Sequence, residues 1–120
     1  MATFSKIILS GSTDGRGIKV AATASAGTTI HTGSATSTTL DEIWLYVQNT
    51  SASSVKLTVQ WGGTSSPDDD IEVTVAAEAG LMLVAPGLVL KGNASPLVVR
   101  AFAATTNVLT IHGYVNRITA

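Results

Sequence analysis

The sequence predicts an all-β protein, an antiparallel β-sandwich of jelly-roll-like form with seven or eight strands. Three observations predict it. From Leu40 to Ile118 short runs of β-branched and aliphatic residues recur, each closed by Gly, Pro, Asn, Asp or Ser. The runs follow one another at roughly the 8–12-residue spacing of sandwich strands, and none carries an amphipathic helical period. The 120 residues suffice for one domain with its own core.

The elements follow in order. Ile18, Val20 and Ala22 alternate with Lys19, Ala21 and Thr23, a period of two that turns one face inward and predicts a first strand. Thr28 to Thr32 is a short second candidate, and the GSATSTT stretch behind it reads as loop. Leu40 to Gln48 carries Ile43, Leu45 and Val47 on one face and Trp44 and Tyr46 on the other, so both faces are apolar, as in a covered strand. Val55, Leu57, Val59 and Trp61 alternate with Lys56, Thr58 and Gln60, and the short polar link before them predicts a hairpin with the preceding strand. GGTSSPDDD is a surface loop, after which Ile71, Val73 and Val75 form another strand. Leu81 to Val84 and Leu88 to Leu90 are divided by Pro86 and Gly87 and read as a bent strand or a corner. Leu97 to Ala103 and Val108 to Val115, joined by ATTN, predict a closing hairpin.

Seven Lys and Arg against eight Asp and Glu leave a net charge of −1, far from the basic excess that holds a phosphate backbone, so nucleic acid is not an expected partner. No apolar run is long enough for a membrane span, and Ile7 to Leu9 is too short for a signal-peptide core, so neither membrane nor secretion through such a signal is expected. Cysteine is absent, which leaves stability to packing or assembly. Charged residues make up 12% of the chain, against about 25% in a typical globular protein. Two readings follow. Thr-rich strands present hydroxyls to water in place of charges, or other subunits cover much of the outside, where a charge would have to be desolvated.

No catalytic or cofactor motif stands out, and neither an enzyme nor a bound cofactor is expected. Asp68, Asp69 and Asp70 carry hard oxygen ligands that suit calcium, but without the spacing of a known calcium motif they read as a solvated turn after Pro67. His31 and His112 have no second ligand or nucleophile at a telling spacing, and both read as satisfied structural or interface histidines. His112 alternates with Thr110 and Tyr114 and should share a face with that tyrosine. There is no nucleophile elbow of the Gly-x-Ser-x-Gly kind. Trp61 continues the inward face of its strand, whereas Trp44 and Tyr46 are candidate interface aromatics, suited to a subunit contact or to stacking on sugar rings.

The beginning of the chain stands apart. Residues 1–16 read either as an edge strand or as an arm ahead of the sandwich domain at 17–120. Phe4, Ile7, Ile8 and Leu9 form an apolar strip, separated from the Ile18 strand by a flexible SGSTDGRG stretch. As an arm, the strip would add to a neighbouring subunit's open edge, and removal of residues 1–12 would leave the domain folded.

The stretches SGSTDGRGIKVAATA, LDEIWLYVQNTSASSVKLTVQWGG, LVAPGLVL and LVVRAFAATTNVLTIHGYVNRI, with the Pro67-Asp68-Asp69 loop, resemble small virion proteins of tailed bacteriophages. The resemblance spans nearly the whole chain and is one of general pattern. It implies a capsid decoration or cement protein that is made in the host cytoplasm and sits on the capsid surface. It also implies a homotrimer that clamps the major capsid protein through β domains and terminal arms. The alternative is a carbohydrate-binding module on a virion or tail, using Trp44, Tyr46 and the loops.

Overall fold

The computed structural model describes residues 2–120. Among these residues nine strands form: β1 (Thr3–Ile8), β2 (Ile18–Lys19), β3 (Thr28–Thr32), β4 (Leu40–Asn49), β5 (Val55–Trp61), β6 (Asp70–Val75), β7 (Met82–Lys91), β8 (Val98–Ala103) and β9 (Leu109–Thr119). They build two antiparallel sheets packed face to face. One runs β1-β9-β4-β7, with β2 continuing beside β1 along β9, and the other runs β3-β8-β5-β6. The pairs β2/β9, β3/β8, β4/β7 and β5/β6 nest one inside the next, which is the pattern of a long two-armed ribbon rolled on itself. The predicted sandwich is thus a jelly roll.

The rolling overturns both predicted hairpins. β4 and β5 follow each other in the chain but lie in different sheets, and so do β8 and β9. Consecutive strands on one arm of the ribbon cross between sheets as arches, and the sole sequence-adjacent hairpin among these strands is its tip, β5/β6. Buried Asn49 holds the first arch. Its amide donates to the Ser53 and Val75 carbonyls, and its Oδ1 accepts from the backbone and the hydroxyl of Ser51. In the second arch Asn107 takes a positive φ of 64°, and its N–H reaches the Val20 carbonyl. The two pieces around Pro86 are one strand, β7, with two register shifts against β4. At the sheet edge a proline's missing N–H deprives no ladder partner.

Alternation decides the core. Ile43, Leu45 and Val47 of β4 meet Leu57 and Val59 of β5, Val99 and Ala101 of β8, and Leu109, Ile111 and Val115 of β9, all fully buried. The strand predicted from Ile18 to Thr23 is paired only at Ile18 and Lys19. Beyond the Val20 N–H, which bonds the Leu109 carbonyl, the chain leaves β9 and crosses to the other sheet.

The N-terminal strip is the edge strand of its own sheet: β1 pairs with β9 from Thr3↔Thr119 to Ile8↔Tyr114. Two of its proposed contact residues are corrected. Leu9 is 1% exposed and belongs to the core, and Ile7 packs against that core, whereas Phe4 and Ile8 stand exposed. The SGSTDGRG stretch is also pinned. The Ser10 N–H bonds His31 Nδ1, and the Gly11 N–H bonds the Ile30 carbonyl at 2.9 Å. A Cβ at Gly11 would lie 2.5 Å from the Thr29 carbonyl oxygen, so only glycine lets the backbones come this close.

Removing residues 1–12 therefore strips the core of Leu9 and should destabilise the domain, contrary to the arm reading. Leu9→Ala should cost about 3 kcal/mol in denaturant unfolding, as for other buried leucines. Phe4→Ala, at a side chain 72% exposed, should change stability by less than about 0.5 kcal/mol.

Candidate functional site

The two outer faces differ in chemistry. On the five-stranded sheet, register sets Phe4, Lys6 and Ile8 of β1 beside Ile118, Asn116 and Tyr114 of β9. These stand beside Leu40, Glu42 and Trp44 of β4, with Tyr46 beside His112. β7 adds Leu83, Pro86 and Val89 opposite Tyr46, Trp44 and Glu42. Since Asp41, Ile43, Leu45 and Val47 point into the core, all these partners point out. Among the described residues seven large apolar side chains remain exposed, and five of them, Phe4, Ile8, Leu40, Leu83 and Val89, lie on this face.

Its centre is aromatic. The Trp44 and Tyr114 rings lie 6.2 Å apart and within 11° of parallel, and the Lys6 ammonium sits 4.9 Å from the Tyr114 ring centre. Trp44 Nε1–H donates to Glu42 Oε1 at 2.8 Å, and the Asn116 amide donates to the same oxygen at 3.0 Å. These two hydrogen bonds hold the Glu42 carboxyl below its usual range. Under the indole runs Gly87, with φ 74°, where a Cβ would lie 2.9 Å from Trp44 Cζ2. The left-handed turn that follows Pro86 is what lets the indole lie against β7. Both sequence-predicted aromatics, Trp44 and Tyr46, face outward and half-buried, while Trp61 is packed against the core.

The opposite outer face is polar and partly roofed. It carries Lys56, Thr58 and Gln60 of β5, Glu72 of β6, and Arg100 and Phe102 of β8. Gln60 is only 1% exposed because the loop ahead of β3 folds over it. The Gly27 N–H donates to its Oε1, and its Nε2 donates to Ser25 Oγ, both at 2.9 Å. A shallow cleft of about 250 Å³ opens where β5 ends and β8 begins, lined by Gly62, Gly63, Leu97 and Arg100.

Of the acidic run, Asp69 caps its own turn by accepting from the Ser65 N–H, and Asp70 accepts from Ser66 Oγ. Among the described residues no group of three His, Cys, Asp or Glu side chains is arranged to hold a metal ion. His112 stands on the apolar face as its alternation implied, and its buried Nδ1 has no hydrogen-bond partner.

The interior holds a polar cluster that sequence reasoning missed. Asp41, 1% exposed, receives His31 Nε2–H at 2.9 Å, Arg117 Nε–H at 2.7 Å and an Arg117 terminal N–H at 2.8 Å. His31 Nδ1 accepts the Ser10 N–H at 3.1 Å, so the proton sits on Nε2 and every polar atom of the ring is matched. Ser10, His31 and Asp41 thus meet in space without forming a nucleophile. The serine offers its backbone N–H to the imidazole, and its hydroxyl oxygen accepts from the Thr32 N–H. The cluster ties β3 of one sheet to β4 and β9 of the other. Its signal in the sequence is Asp41 itself, a carboxylate at an inward position of an otherwise apolar alternation.

Compared with models of known protein families, with curated proteins and with solved structures, the chain finds no match.

Burial pushes the Asp41 carboxyl up, but the hydrogen bonds from Arg117 and His31 and the positive charge of Arg117 outweigh it and leave the group below its ordinary value of 3.8. A depressed carboxyl stabilises the fold above its unfolded pKa, and that stabilisation is lost as pH falls through the lower folded value. Stability should therefore decline below about pH 4. Arg117→Met, which leaves the carboxylate buried against His31 alone, should cost about 3 kcal/mol at pH 7. It should also flatten the acid-side loss, and denaturant titrations of both proteins from pH 7 to pH 3 check both effects.

Proposed function

We propose that this protein is a structural virion protein of the capsid decoration kind, which self-associates and stabilises a phage head by binding the major capsid protein. The observation that carries this reading is the asymmetry of the sandwich. One outer face is polar and partly roofed, and the other presents the exposed apolar side chains around a Trp44–Tyr114 centre. Contiguous apolar surface of this kind marks docking sites, and Trp and Tyr are enriched in them. The phage and shell part of the reading rests on the resemblance of the sequence. The jelly roll serves capsid and lectin domains alike and does not choose between them.

The mechanism is mechanical. A cement protein binds the assembled lattice better than free subunits, so mass action shifts the equilibrium toward the intact shell. Each added contact from an oligomer raises the effective concentration of the next. Phe4 and Ile8 remain the contact residues of the N-terminal strip, and Leu83 and Val89 extend the surface to the other edge of the sheet.

A second reading has its own support. Two near-parallel rings on an open sheet, Trp44 and Tyr114, with Tyr46 nearby, form a platform on which a sugar ring can stack. The hydrogen-bonding groups beside it, Trp44 Nε1 and Glu42 Oε1, are already engaged with each other, which weakens it.

Expanded capsids of the encoding phage provide the test. The wild-type protein should co-sediment with them, and the double variant Leu83→Lys, Val89→Lys should bind at least about tenfold more weakly while unfolding at the wild-type temperature. Undiminished binding would take this face out of the mechanism. A glycan array that captures the protein through Trp44, with no affinity for capsids, would install the second reading instead.

A further inference from the structure

The fold has four sheet edges: β1 with β2, β7, β3 and β6. A free edge is a row of unpaired N–H and C=O groups ready to accept another strand. Three of the four are obstructed. β7 contains Pro86, which has no N–H, and its ladder shifts register twice. β3 is bulged, and its outer side is already taken by the Gly11 N–H on Ile30 O and by Ser10 Oγ on the Thr32 N–H. β6 carries Asp70 and Glu72 directly behind Asp68 and Asp69, so even with Lys56 beside Glu72 a second β6 would bring acid against acid. β1 is different. Its six residues run in unbroken register without Pro, Gly or bulge. Its one charge, Lys6, lies over the Tyr114 ring on the sheet face, and Phe4 stands uncovered.

We propose that β1 pairs antiparallel with β1 of a second copy about a two-fold axis through Ser5, joining two five-stranded sheets into one. The register follows from alternation. Facing residues must point to the same side of the sheet, so their numbers share parity and the axis passes through a residue. An axis at Lys6 sets that lysine against Lys6 of the partner subunit, a like-charge pair. An axis at Phe4 leaves only the Thr3–Ser5 ladder. An axis at Ser5 gives five pairs, in which Phe4 faces the partner's Lys6 and Thr3 faces the partner's Ile7. The exposed phenyl ring then covers the lysine stem and faces its cation.

The contact goes beyond the proposed function and does not depend on a shell. An edge that matches itself closes at two copies, so it gives a dimer and not the trimer that the resemblance implies. It also joins the two apolar outer faces into one surface across the axis.

The chain has no cysteine, which makes the test direct. Facing residues of an antiparallel pair have Cα atoms about 4.5–5.5 Å apart, within disulfide reach. Under mild oxidation at micromolar concentration, the full-length Ser5→Cys variant should form a covalent dimer, and Thr74→Cys, on exposed β6, should not. In sedimentation equilibrium the wild type should be a dimer. Phe4→Lys, which opposes two lysines on each side of the axis, should raise the dimer Kd about tenfold, while Phe4→Glu should keep it. A wild type that is monomeric or trimeric, or equal cross-linking by the two cysteine variants, would overturn the proposal. Either result leaves the capsid co-sedimentation measurement to stand or fall by itself.

Discussion

Ten registered pairs between β4 and β9, from Leu40↔Ile118 to Asn49↔Leu109, are the constraint on which the rest depends. Because side chains alternate, this one ladder assigns the central residues of the five-stranded sheet to a side. Inward, it sets Asp41 opposite Arg117 and Ile43 opposite Val115. Outward, it sets Trp44 opposite Tyr114 and Glu42 opposite Asn116. A slip of one residue would carry the carboxylate to water and the indole into the core. The buried ion pair thus fixes the register at one end, and the apolar run of β4 fixes it along its length.

How much of this the sequence displays depends on whether the signal is local. The period-two runs of β4, β5 and β9 are local, and they placed Ile43 and Leu57 inside and Trp44 and Tyr46 outside. Alternation says which face a residue occupies but not which sheet its strand joins, so in sequence the β4–β5 and β8–β9 arches read as hairpins. The two pieces around Pro86 read as a bent strand or a corner because bulges in an edge strand leave no trace in the pattern beyond a proline and a glycine, and the structure makes them the bent strand. Apolar character alone groups Leu9 with Ile7 and Ile8, although three successive residues of a strand cannot share a face. It lies past the end of β1 and turns inward. Arg117 stands 76 residues from its partner Asp41, and only the β4–β9 register brings the two together.

The two outer faces record two ways of treating a sheet surface. Over the four-stranded sheet the chain folds its own loop across Gln60 and satisfies that amide with Gly27 and Ser25. Over the five-stranded sheet the described residues place no such cover, and the few polar groups there brace an aromatic centre. Glu42 locks the indole, and Gly87 yields the space beneath it. The few charges on the sheets divide between the faces, with Lys56, Glu72 and Arg100 on the roofed side and Lys6 and Glu42 on the aromatic one.

The pairing of β1 with β9 has a consequence for how the chain is made. β9 is the central partner of β1, β2 and β4, and it leaves the ribosome after all three of them. Until it emerges β4 lacks one of its neighbours, Asp41 has no guanidinium, and the inner face of the five-stranded sheet has no middle. The sheet can close only after synthesis has passed Thr119, through contacts between residues far apart in sequence, a topology that folds slowly. During that interval the β1 and β4 segments are exposed together with their apolar residues, and the period before closure is when the nascent chain is most open to capture by chaperones or by its own copies.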